Sequence, residues 1–176
     1  MGVWRRVADL ITHGCTAIIA KSCTRRGDHV AVFVAGTCLP DLLGRVPSMA
    51  LTRIRWDVPG IPEWAVYVWG PLHMPVGVAA MAFAFSFVFG VEVRRTVFLN
   101  LLGGGLLHLA VDLVQFHFGV GYLLLFPLSM WDFELGWIGS EATVRVVPFL
   151  VPFTILIARW RWGRARRKDG SSPPTA

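Results

Sequence analysis

The sequence predicts an all-α fold: a polytopic transmembrane helical bundle with three full spans and one or two short or re-entrant N-terminal helices. Three observations carry this expectation. Of 176 residues, 55% are hydrophobic and only 16% are charged. The apolar residues come in blocks rather than at amphipathic spacing. From Trp64 to Val91 there is no Asp, Glu, Lys or Arg, and that run alone is long enough to cross a hydrocarbon core of roughly 30 Å.

The elements follow in order. LITHGCTAIIA (10–20) is too short for a full crossing and reads as a short or tilted helix. HVAVFVAGTCLP (29–40) reads as a half-crossing or re-entrant piece that stops at Pro40, with Asp41 next in the chain. The first full span lies within residues 64–91, the second runs from about Thr96 to Phe116, and the third from about Val144 to Trp160. The third contains Pro148 and Pro152, which membrane helices tolerate when neighbours satisfy the freed carbonyls. Residues 1–162 therefore form one membrane-embedded domain. Residues 163–176 form a basic tail, read as disordered beyond about Arg164 because it is charged and rich in Pro and Ser.

Charge sets the expected orientation. Six of the 17 Lys and Arg fall between Arg159 and Lys168, and the formal net charge is +6. The positive-inside rule makes that tail cytoplasmic, in a multi-pass protein of the plasma (inner) membrane. Arg94 and Arg95, read as a tight connection between the first two spans, belong on the same side. Lys21, Arg25 and Arg26 fit the alternation poorly, so the rule leaves residues 1–60 open. A juxtamembrane basic cluster is a topology anchor that meets anionic lipid more often than a nucleic-acid site. Membrane lipids are thus expected partners and nucleic acid is not.

Against this apolar background the ionisable residues stand out. His108 and Asp112 are the only such groups between Thr96 and Phe116, and a spacing of four puts them on one helix face. Measured from the connection at residues 91–96, His73 and Asp112 lie about 24–27 Å up their helices. Three ionisable side chains from two antiparallel helices therefore converge. Groups at such depth face the bundle interior and mark function by default, although a buried hydrogen bond pinning two helices is the plain alternative. His13, inside an apolar stretch, and Asp41, behind a proline, complete the order His, Asp, His, His-x-x-x-Asp. Imidazoles mixed with carboxylates suit zinc, with manganese or iron next, better than calcium or copper(I). Cys15, Cys23 and Cys38 have no metal or disulfide spacing and read as packing residues. Gly103 to Gly105 lie inside an apolar helix, where close helix packing explains them better than phosphate binding.

The run GTCLPDLL, the His73 segment and GGGLLHLAVDLVQFHFGVGYLLLFPLS together resemble the YdjM-like membrane-bound, metal-dependent hydrolases over roughly residues 8–140. The most specific part is His108 through Ser129. The ligand order is also similar to that of the all-helical zinc-dependent phospholipase C and nuclease group. The resemblance implies that Asp41, His73, His108 and Asp112 surround one metal, and that Asp112 bridges to a second metal also held by His13. Two departures are plain: Leu43 stands where family members often have a second Asp, and PLHMPVG keeps a single histidine without the family's usual Arg and Ser.

The expected function is metal-assisted hydrolysis, in which the metal lowers the pKa of a bound water to about 7 and Asp41, Asp112 or a loop carboxylate handles the proton. The resemblance implies a phosphoester or lipid-like substrate at the outer face of the membrane. The competing readings are a non-enzymatic protein that uses the cluster for metal or proton handling or as a structural clasp, and a lipid-interacting scaffold. His117 reads as interfacial, His29 as a surface or capping group, and Glu134 and Glu141 as possible further ligands or bases. Trp64, Trp69, Tyr122, Trp131 and Trp137 read as interface-belt aromatics.

Overall fold

The computed structural model describes residues 2–24, 29–45, 70–116, 122–139 and 142–168. Five α-helices dominate it: α1 (Gly2–Cys23), α2 (Val30–Leu39), α3 (Pro75–Ser86), α4 (Val91–Val114) and α5 (Ala142–Lys168). A π-helical turn, Pro40–Arg45, continues α2, and a 3-10 turn, Gly70–His73, precedes α3. Two short parallel strands, β1 (Gln115–Phe116) and β2 (Ile138–Gly139), pair at the end of α4.

The helical class is as expected, but the three full spans are not there. Among the described residues one helix, α4, is long and apolar enough to cross a membrane. At 24 residues it reaches about 36 Å. The stretch expected to form the surest span is broken at both ends. Pro75 opens α3 as its first residue and holds Met74 extended (φ −124°, ψ 162°), as a residue before proline prefers. At the other end the Ser86 hydroxyl donates to the Phe83 carbonyl, and the chain turns through Phe87–Gly90 before α4 begins. The helix between has 12 residues, about 18 Å. The expected third span, α5, is 27 residues long, but its uncharged part, residues 146–158, covers only about 20 Å. Without three alternating spans, the multi-pass topology and the cytoplasmic tail derived from it lose their frame. Arg94 and Arg95 lie within the first two turns of α4 rather than in a connection. The helix of α5 continues to Lys168, past the point where disorder was expected.

The packing centres on α4, which meets both α2 and α3, while α1 packs against α5 and α2. The buried positions of α4 are Val97, Asn100, Leu101, Gly104, Gly105, His108, Leu109 and Asp112. These recur at three- and four-residue intervals, one continuous stripe. Val78, Met81 and Leu109 form one apolar cluster against this stripe, and Ala82, Val97 and Leu101 another. Gly36 and Gly104 let α2 lie directly on α4: a Cβ on Gly36 would overlap the Leu101 carbonyl, and one on Gly104 the Phe33 carbonyl. At the far end α1 and α5 are tied by Arg161, whose guanidinium donates to the Lys21 and Ser22 carbonyls. Leu99 and Leu106 of α4 face outward and are exposed, as are Phe83, Phe87, Phe149 and Leu156 elsewhere.

Candidate metal centre

Five side chains from four segments meet at one point. His13 comes from α1, where the glycine-flanked turn of LITHGCT faces inward. Asp41 comes from the π-helical turn. Pro40 has no N–H to continue the α2 ladder, and the widened turn that follows carries the carboxylate toward α4. His73 ends the 3-10 turn, set by the extended Met74–Pro75 step. His108 and Asp112 come from the buried stripe of α4.

The distances are short and mutual. His73 Nε2 lies 2.9 Å from His108 Nε2. Asp112 Oδ2 is 3.4 Å from His73 Nε2 and 3.3 Å from His108 Nε2. Asp41 Oδ1 is 3.3 Å from His73 Nε2 and 3.8 Å from His108 Nε2. On the other side of the same carboxylate, Asp112 Oδ1 is 2.9 Å from His13 Nε2. The His13 and His108 rings lie 4.0 Å apart at 32°, and His73 meets His108 edge-on at 4.9 Å.

A metal ion 2.0–2.1 Å from four tetrahedral donors separates those donors from one another by about 3.3–3.4 Å. The separations among Asp41 Oδ1, His73 Nε2, His108 Nε2 and Asp112 Oδ2 scatter around that value. The donor set therefore fits a divalent cation. Among the five side chains, two groups could hold an ion: His73, His108 and Asp112, and His13, Asp41 and His108. The atoms also have unspent capacity. Asp112 Oδ1 faces His13 Nε2 at 2.9 Å, and His108 Nδ1 makes no hydrogen bond among the described residues. Buried polar atoms are normally satisfied, so such atoms call for an explanation, and a cation beside the carboxylate supplies one.

Exposure is uneven. The side chains of His13, His108 and Asp112 are fully buried, whereas those of His73 and Asp41 are 13% and 10% exposed. Approach from solvent is therefore on the His73–Asp41 side.

All five expected ligands come together, but one member of the site was misread. Tyr122, expected at a membrane interface, donates its hydroxyl to Asp112 Oδ2 at 2.7 Å and stacks on His73 with centroids 5.5 Å apart. It is placed by the segment after α4, which folds back over the helix end. Leu135 N and Trp137 N donate to the Leu113 and Val114 carbonyls, and Tyr122 exchanges backbone hydrogen bonds with Phe133. No local spacing signals this contact, because the loop's return is what makes it.

Glu134 is in neither donor group. His29 takes a left-handed conformation (φ 61°) ahead of α2 and makes no side-chain cap. Trp131 and Trp137 are exposed. His117, Glu141, Trp64, Trp69, Arg25 and Arg26 lie outside the described residues. Cys15 is buried, Cys23 exposed and Cys38 half-buried, all with free thiols. Burial, and after it the charge of Asp41, raises the Cys38 thiol above its ordinary value.

No protein-family model, curated protein or solved structure matches the chain.

Proposed function

We propose that the chain is a membrane-associated, metal-dependent hydrolase acting on a phosphoester, with His73, His108 and Asp112 as the metal ligands. The observation that carries this reading is the asymmetry of the donor set. Three donors sit within 2.9–3.4 Å of one another, whereas Asp41 is more loosely placed, 3.8 Å from His108, and on the exposed side. Two histidines and a carboxylate leave a fourth position open, the arrangement of catalytic zinc.

A divalent ion, zinc first, with manganese or iron next, supplies Lewis acidity and a water of lowered pKa there. The protein's own groups have distinct tasks. Asp41 faces the open side beside His73 and takes the proton. Asp112 uses Oδ2 toward the ligand pair, held by Tyr122, and Oδ1 toward His13, which suits it to bridge to a second ion. The phosphoester class rests on the resemblance to YdjM-like hydrolases. Membrane association is supported by α4 and by the exposed apolar side chains Leu128, Met130, Trp131 and Trp137 in the loop that also brings Tyr122; exposed apolar surface of this kind marks an interaction site.

A second reading is a structural clasp. The 3.3 Å contact of Asp41 with His73 is short enough for it to be a fourth ligand, which would close the site. Asp41→Asn separates the two. Metal content by mass spectrometry and hydrolysis of bis(4-nitrophenyl) phosphate are measured on the detergent-purified protein. Retained metal with hydrolysis reduced 100-fold or more supports the enzyme, in line with the 10²–10⁴-fold contribution of a general base. Lost metal without any activity in the parent supports the clasp. A parent that stays metal-free after supplementation with zinc, manganese and iron refutes both.

A further inference from the structure

An apolar groove of about 780 Å³ lies between α1, α2 and α5, lined by Ile18, Val34, Ala35, Ile155 and, at one end, Arg159 and Trp162. It shares no residue with the metal centre and begins five residues along α1 from His13. The hydroxyl of Thr154, also on its wall, is spent on the Leu150 carbonyl of its own helix. The walls therefore offer apolar contact and nothing polar until Arg159.

Arg159 is exposed and makes no hydrogen bond or ion pair among the described residues. Its neighbours do. Arg161 holds the last carbonyls of α1, and Arg164 lies over the Trp160 ring at 4.1 Å. The Arg161 contact fixes the basic end of α5 beside the end of α1, so the groove runs from an apolar interior to a cationic mouth. From Thr154 to Trp162 it is about 12 Å long. Its volume falls within the range of small-ligand sites.

We infer that this groove binds the acyl chain of an anionic phospholipid, with the phosphate at Arg159 and Trp162 at the level of the headgroup. The charge complementarity is specific: an apolar tail has the groove, and a phosphate oxygen has a guanidinium that no hydrogen-bonding or ion-pairing group among the described residues occupies. Arg suits this role through its planar, multiply donating head, and Trp through its amphipathic ring.

The test uses full-length protein in mixed micelles containing phosphatidylglycerol or phosphatidylcholine that carries a photoactivatable acyl chain, with crosslinks mapped by mass spectrometry. Crosslinks should concentrate on the peptides of Val34 and Ile155 and be stronger with phosphatidylglycerol. Ala35→Phe, which fills the groove from an exposed position, should abolish them. Arg159→Gln should leave the groove open but cut the preference for phosphatidylglycerol about fivefold, the worth of one basic side chain near an anionic surface. Three results would each overturn the inference: labelling spread over the outer faces of α4 and α5 and unchanged by Ala35→Phe, equal labelling by the two lipids, or no labelling of the groove. Because none of these residues touches the metal ligands, metal content should be unchanged in both variants.

Discussion

Removing one oxygen atom tests whether the metal centre is built as the distances imply. Tyr122→Phe deletes the hydroxyl that donates to Asp112 Oδ2 at 2.7 Å. The ring keeps its place, because stacking on His73 and the backbone exchange with Phe133 do not involve the hydroxyl. A hydrogen bond to a charged group is worth about 1.5–3 kcal/mol. Loss of a group that orients a metal ligand typically weakens metal affinity about 10–100-fold, which is about 1.4–2.7 kcal/mol. The two magnitudes agree, so most of the bond's energy is expected to appear in metal binding. Titration of zinc against a competing chromophoric chelator should show a Kd raised by 10–100-fold. A Kd within twofold of the parent would refute the assignment of Tyr122 as the residue that orients Asp112. So would a fall in the Tm of metal-free protein with no change in Kd, which would make the contact purely structural.

Two further predictions concern the frame around the site. Gly104→Ala drives a Cβ into the Phe33 carbonyl and the Thr37 amide. Overpacking of this kind costs about 1–3 kcal/mol, and the Tm should fall by about 2–12 °C with weaker zinc binding, because the shift displaces α2 and Asp41 with it; Gly103→Ala, which meets only the flexible Phe33 ring at 3.2 Å, should cost less. Iodoacetamide should modify exposed Cys23 well before half-buried Cys38, whose thiol is held protonated by burial and by Asp41; peptide mapping over a time course at pH 8 reads the order, and equal rates would contradict it.

The site was more legible in the sequence than the fold that carries it. His108 and Asp112 declare themselves by their four-residue spacing in an otherwise apolar helix, and Asp41 by the proline that ends α2. His73 was placed by assuming that one continuous helix led back from residue 91. The helix is in fact cut by the turn at Phe87–Gly90, but the extended Met74 and the 3-10 turn still carry His73 to the level of Asp112. The spans failed for a local reason. Hydropathy sums over residues 64–91 without regard to Pro75 or to the turn after Ser86, and these bound a helix too short to cross. In α5 the apolar run was read as continuous to Trp160, although the charges at Arg145 and Arg159 leave only the middle uncharged. Tyr122 could not have been found by pattern, because its partner lies across a loop whose path depends on backbone bonds to the end of α4.

Charge balance supplies the last argument. Asp112 is fully buried, and its partners among the described residues are His13, His73, His108 and Tyr122, none of which is a Lys or Arg. An isolated buried carboxylate is costly unless compensated, and Asp41 adds a second acid to the same cluster. A divalent cation bound among them offsets both charges at once. The metal should therefore stabilise the fold as well as serve the site. At a free concentration 100 times Kd, binding adds about 2.7 kcal/mol, which for a chain of this size raises the Tm by about 5–11 °C. Differential scanning fluorimetry with zinc and then with excess chelator measures it. In the parent, chelation should lower the Tm by that amount. In His108→Ala, which lacks one ligand, zinc and chelator should leave the Tm unchanged. A parent indifferent to both would mean that the carboxylates are compensated by protons alone, and the cluster would then be a hydrogen-bonded core and not a metal centre.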